Sequence, residues 1–167
     1  MNIDINFVKI KDAKEIIEYC KQVGSETDNL SFGSEGLGIS VSEEKRIILS
    51  FLQDKKSMMF VARHNGKIVG LAAYRSMPRR FSHRADIGIS ILKDYWGNKI
   101  ATRLIETMLD FAQNVARSKV ISLEVATDNI RAIRLYEKFG FEKIGLFKKY
   151  FKVGDEFLDA YIMTLYL

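Results

Sequence analysis

The stretch YWGNKIATRL, Tyr95 to Leu104, places a glycine and a lysine where a strand turns into a helix. A helix that starts there presents unpaired backbone N–H groups, and its macrodipole adds roughly half a positive charge. Gly97 allows the tight bend, Ala101 leaves room for close approach and Lys99 adds a point charge. The chemistry that suits the stretch is the holding of a phosphate group. A second signal is Glu124, a carboxylate inside the otherwise apolar run VISLEVA. Strand alternation sets Ile121, Leu123 and Val125 on one face and Ser122, Glu124 and Ala126 on the other, and a partly buried glutamate on such a face suits general-base work. Glu35, inside the glycine-rich SETDNLSFGSEGLGIS, is a rival as base or as a substrate-binding carboxylate.

These residues need elements to position them. Ile3, Ile5 and Phe7 alternate as a half-buried strand, and Asp12 with Glu15 reads as an N-cap pairing ahead of a helix through Ile16, Cys20 and Val23 that Gly24 ends. After the glycine-rich loop, Ser42 is expected to cap a second helix with Ile47, Ile48, Phe51 and Leu52 as its buried face. Asn65-Gly66 between two apolar runs is a hairpin signal. RADIGISIL is a further strand, and Ile100, Leu104, Met108, Phe111 and Val115 line one stripe of the helix that follows. KVISLEVAT is a buried strand after that helix, so it pairs parallel to the strand before it by a right-handed crossover. DNIRAIRLYEKFGF is a helix started at Asp128 or Asn129 and stopped at Gly140, with Ala132, Leu135 and Phe139 apolar. Two strands joined across KVGD close the chain. The expected fold is α/β: a single mixed, mostly antiparallel sheet with a central parallel strand pair, flanked by helices, in one domain over 1–167.

Composition narrows the function. The chain has 167 residues, 47% hydrophobic and 28% charged, and no apolar run of the length a membrane span needs. A soluble, cytoplasmic protein without a membrane partner is expected. One cysteine, Cys20, and two histidines, His64 and His83, supply no spaced metal-ligand set, so no metal is expected. A net charge of +5 favours an acidic partner, and nucleic acid, a membrane surface or a polyphosphorylated cofactor would each supply one; charge alone does not choose. No interleaving of basic and aromatic residues points to nucleic acid. The WGNKIAT turn has neither the Gly-Lys-Ser/Thr of a P-loop nor the three glycines of a dinucleotide fingerprint, which argues against ATP and NAD.

YWGNKIATRLIETMLDFA resembles the pyrophosphate-binding segment of the GNAT acyltransferases, written Gln/Arg-x-x-Gly-x-Gly/Ala. Downstream, LEVATDNIRAIRLYEKFGF is similar to their second signature, Asn-x-x-Ala-x-x-Leu-Tyr-x-x-x-Gly-Phe. Both occur in the right order and separation, and the resemblance covers nearly the whole chain. Trp96 stands where Gln or Arg is commonest, and Lys99 replaces the central glycine. The resemblance implies an acetyl-CoA-dependent N-acetyltransferase, near the branch that acetylates ribosomal-protein N-termini and small amines. It implies that the backbone of Ile89 and Ile91 pairs with the pantetheine arm and that Gly97, Asn98, Lys99, Ile100, Ala101 and Thr102 hold the pyrophosphate. Asn129 would contact the arm, and Tyr136 would lie near the sulfur as general acid. A glutamate in the matching Leu-Glu-Val context is the base of the ribosomal branch, which assigns that role to Glu124. Direct attack in a ternary complex is expected, because no cysteine stands in either motif. The acceptor is a small-molecule or peptide amine, and the superfamily's habit of dimerising makes a homodimer an expected assembly. The alternative reading is a non-catalytic acyl-CoA-binding regulatory module.

Overall fold

A computed structural model describes all residues, 1–167. Seven strands form one sheet in the order β1-β2-β3-β4-β5-β7-β6, where β1 is Asp4–Phe7, β2 Met58–His64, β3 Lys67–Ser76, β4 Arg84–Ile91, β5 Val120–Ala126, β6 Glu142–Val153 and β7 Glu156–Tyr166. The helices are α1, Ala13–Glu26; α2, Val41–Gln53; α3, Ile100–Phe111; and α4, Ile130–Lys138. The order along the chain is the one expected, and β4 with β5 is the parallel pair within antiparallel neighbours. No helix is long and apolar enough to cross a membrane.

The chain divides into two compact units, Met1–Arg75 with Gly88–Arg117, and Ser76–Ile87 with Ser118–Leu167. In the first, Ile16, Cys20 and Val23 of α1, Ile48 of α2, Phe60 and Val61 of β2, and Ile100, Leu104, Ile105, Met108 and Phe111 of α3 are buried. Asn65 and Gly66 both have positive φ, 48° and 82°, as a two-residue hairpin turn of type I′ requires. Gly24 is needed in α1 because a Cβ there would stand 2.0 Å from the Gly33 carbonyl oxygen, so the glycine-rich loop lies directly on the helix.

Several expectations for this unit are corrected. α1 continues past Gly24 to Glu26. Asp12 does not cap it; its carboxylate accepts from the Lys9 N–H and pairs with Arg63, which also binds Glu15. The cap of α2 is Ser40, not Ser42, in a reciprocal pairing with Glu43. α2 buries Glu44 beside Ile48 and Phe51 and leaves Ile47 and Leu52 exposed. Val115 is exposed because α3 runs into a π-helical turn at Ala112–Ala116, whose wider winding rotates Val115 off the stripe and brings Ala112 and Ala116 inward.

In the second unit, β5 pairs along its full length with β7, from Val120↔Tyr166 to Ala126↔Ala160. Its parallel pairing with β4 covers only Arg84↔Val120, Ala85↔Ile121 and Asp86↔Ser122. α4 ends as expected, with Gly140 at φ 88° and the Phe141 N–H returning to the Tyr136 carbonyl. Its buried positions are Ile133 and Tyr136 rather than Ala132, Leu135 and Phe139, so the helix is rotated from the face expected.

Candidate active site

In the first unit the candidate residues gather where β4 turns into α3. The Leu92 N–H donates to the Val69 carbonyl on β3, so by strand alternation Ile89 and Ile91 direct their backbone groups to the opposite edge. The Ile91 carbonyl is taken by the Trp96 indole, whose Nε1–H donates to it at 2.8 Å. Trp96, in the position where the family pattern has Gln or Arg, therefore fastens the turn to the end of the strand.

The turn itself is built from two left-handed residues, Gly97 at φ 80° and Lys99 at φ 58°. Lysine takes the conformation that glycine adopts without penalty, which is the physical reason for a glycine in the family pattern at this point. Asn98 folds back, its amide donating to the Tyr95 and Trp96 carbonyls. Lys99 supplies no side-chain cap to α3, and the first turn of the helix, Ile100, Ala101 and Thr102, carries no acid. The space beside Gly97 is open to 4 Å. An uncapped amino end, free of carboxylates and flanked by a lysine, fits a pyrophosphate.

In the second unit, Asn129 caps α4 through its Oδ1, which accepts the Ala132 N–H at 3.2 Å, and its amide nitrogen bonds to no protein group. Tyr136 is buried, its ring packed on Phe141 at 5.6 Å between centroids. Burial pushes its phenol up to about 12, and no protein group takes its hydroxyl. Glu124 is exposed rather than partly buried, while Ser122 and Ala126 on the same face are buried. The Tyr150 phenol of β6 is raised first by desolvation and then by the Glu124 and Asp86 charges. The Asp86 carboxyl is itself raised by burial, against the pull of Arg84.

Asp86 and Tyr150 are the residues near Glu124's strand that sequence reasoning did not single out. Asp86 carried the signal that singled out Glu124, a charge inside an apolar strand; Tyr150 carried none. Glu35 sits in the first unit, in the loop on α1, where its Oε1 accepts the Gly33 N–H at 2.8 Å. That bond lowers its pKa and commits the carboxylate to the loop's own turn.

The model of the Acetyltransferase (GNAT) family matches residues 28–141. The L-amino acid N-acetyltransferase AaaT of Escherichia coli is 38% identical over 106 residues, 62% of this chain and 65% of that protein. The N-alpha-acetyltransferase RimI of Mycobacterium tuberculosis is 37% identical over 103 residues, 61% of each. The matches thus span less than two thirds of these relatives. A GNAT-family acetyltransferase of Streptococcus pneumoniae superposes with a TM-score of 0.94 at 27% identity, over 99% of this chain and 100% of that one.

Proposed function

Because the chain belongs to the GNAT acetyltransferase family, we propose that it transfers an acetyl group from acetyl-CoA to an α-amine, acting as a single acetyltransferase domain. The observation that carries the reading is the Tyr136 hydroxyl, which no protein group claims and which, as a protonated phenol, has a proton to donate as a general acid must. The α-amine is the acceptor chemistry shared by the names of the two relatives, one for L-amino acids and one for N-alpha positions.

When bound, acetyl-CoA supplies the acetyl carbon to which the amine nitrogen bonds and the sulfur that leaves. The backbone of Gly97–Thr102 and the amino end of α3 hold the pyrophosphate, with Lys99 adding charge. The outward backbone groups of Ile89 and the Ile91 N–H pair with the pantetheine amides, and the Asn129 amide donates to the arm. Glu124 removes the proton from the ammonium group, since the amine attacks only when neutral. Tyr136 gives its proton to the leaving sulfur and regains one from solvent. Transfer is direct, within a ternary complex: Cys20, the one cysteine, is buried in α1 and its thiol is pushed up to about 12 by burial and by Glu44.

Thermal melting with acetyl-CoA, with ATP and NAD as controls, is the first test. Ligand at a hundred times its dissociation constant adds about 2.7 kcal/mol, a rise of roughly 5–10 °C for a chain of this length. Stabilisation by acetyl-CoA alone, followed by thiol release with L-amino acids or peptide N-termini, supports the reading. Stabilisation without thiol release across α-amine and side-chain amine panels favours a binding module, and no stabilisation at millimolar acetyl-CoA refutes the cofactor site.

A further inference from the structure

The end of β4 is tied down residue by residue. The Ser90 hydroxyl shares a hydrogen bond with the Tyr19 hydroxyl of α1 at 2.9 Å. The Ile91 carbonyl accepts from the Trp96 indole at 2.8 Å, and the Leu92 N–H donates to the Val69 carbonyl at 3.0 Å. The Lys93 N–H donates to Glu26 Oε2 at 2.7 Å. Lys93 opens the short 3₁₀ turn Lys93–Tyr95, which runs straight into the pyrophosphate turn. As the first N–H of that turn it finds no partner within it, and the Glu26 carboxylate supplies one.

Both ties to α1 come from one of its faces. Tyr19, Gln22 and Glu26 recur at spacings of three and four, and the Gln22 amide donates to Glu26 Oε1 at 3.2 Å, which leaves Oε2 for Lys93. Glu26 is the last residue of α1, and no base stands in that last turn. The helix macrodipole disfavours a carboxylate at this end, so the helix itself gains nothing from the charge. The carboxylate instead holds a backbone N–H 67 positions further along the chain.

We propose that Glu26, aligned by Gln22 and supported by the Tyr19–Ser90 contact, is a positioning residue for the cofactor. It fixes Lys93 at the entrance to the Gly97–Thr102 turn and so sets where the N–H groups that receive the pyrophosphate stand. The inference rests on the reading of that turn as the acetyl-CoA site, and every residue in it lies in the first unit. Both Glu26 oxygens are engaged by Gln22 and Lys93, so its effect falls on the capture of acetyl-CoA and not on the transfer.

Amide hydrogen exchange followed by NMR, with calorimetric titration of acetyl-CoA, tests this without turnover. In E26A the Lys93 amide should exchange faster while the amides of β2 and β3 keep their rates. The dissociation constant for acetyl-CoA should rise roughly ten-fold, the scale of one lost charge-assisted hydrogen bond. The melting temperature without ligand should hold, because the exposed Lys93 N–H takes water in place of the carboxylate and a charge opposed to the helix dipole is gone. E26Q, whose amide oxygen still accepts, should recover most of the affinity. In the thiol-release assay E26A should raise KM for acetyl-CoA and leave kcat at saturating acetyl-CoA within about two-fold of wild type. Y19F and S90A should each weaken acetyl-CoA binding, and the double variant no further, since both delete the same bond.

A wild-type protein that takes up no acetyl-CoA overturns the cofactor site and this proposal together. Wild-type affinity in E26A, or an unchanged Lys93 exchange rate, overturns the positioning role and leaves the cofactor site standing. Loss of melting temperature and kcat alongside affinity marks Glu26 as a residue of the fold and overturns the proposal as well.

Discussion

Replacing Tyr136 by phenylalanine removes one oxygen from a side chain that is 8% exposed, and the structure separates what this does to stability from what it does to catalysis. The ring keeps its contact with Phe141 at 5.6 Å. The hydroxyl has no protein partner, so the usual loss of about 1 kcal/mol for a broken hydrogen bond does not arise and no orphaned group is left behind. Stability should therefore change by less than about 0.5 kcal/mol, a shift within about 2 °C in melting temperature. Loss of a general acid, in contrast, lowers turnover by about 10²–10⁴, or roughly 2.7–5.4 kcal/mol on the barrier. The assay is thiol release under saturating acetyl-CoA and amine, with calorimetric melting on the same preparation. Turnover equal to wild type removes Tyr136 from the mechanism. A stability loss above about 1.5 kcal/mol, the upper end of the net worth of a protein hydrogen bond, would show that the hydroxyl serves the fold.

Two further outcomes follow from groups in other elements. Burial raises the Glu44 carboxyl from 4.5 to about 7. Between those values the folded protein binds a proton that the unfolded chain lacks, so stability falls as pH rises through this window and stays low above it. E44Q should flatten that slope and be the more stable protein at alkaline pH; parallel urea-unfolding curves for the two proteins across the window would refute the burial argument. At Asn129, aspartate keeps the cap on α4 but loses the amide donor. N129D should melt with the wild type in the absence of ligand and gain less from acetyl-CoA, and an equal gain would remove Asn129 from the cofactor site.

The parts of this molecule that were readable from its sequence are those governed by local chemistry. Asn65-Gly66 dictates its turn whatever packs around it, and Gly140 with Phe141 ends α4 for the same reason. The parallel β4–β5 pair followed from the helix between the two strands. What failed depended on neighbours the sequence does not show. In α2 the apolar residues Ile47, Leu49 and Leu52 outnumber those buried, and the helix turns Glu44 inward instead. The cap at Ser40 was legible, since Ser40 and Glu43 have the spacing of a reciprocal pair, but Ser42 stood nearer the apolar run. Tyr150 was illegible for a deeper reason: two extra residues in β6 set its place, and a register shift leaves no mark on apolar and polar alternation.

Of the five non-glycine residues with positive φ, Asn65, Arg79, Lys99, Arg117 and Lys149, the two lysines are held by contacts that can be named. Lys99 and Lys149 both adopt left-handed backbone conformations, at φ 58° and 57°, where a glycine would stand without the penalty of about 1–2 kcal/mol that a side chain brings. Such conformations persist only where surrounding contacts over-determine them. Around Lys99 those contacts are the Trp96 indole on the Ile91 carbonyl and the Asn98 amide on the carbonyls of Tyr95 and Trp96. Around Lys149 they are the Asp159 carboxylate and, at the next residue, the Tyr150 ring set edge-on to Phe147 and Phe151. A glycine at position 99 would relieve the strain and lose a positive charge at an uncapped helix end; a glycine at 149 would relieve it and loosen the bulge that carries Tyr150. In both segments a side chain stands where backbone freedom alone would favour glycine, and at Lys99 it adds a positive charge beside an uncapped helix end.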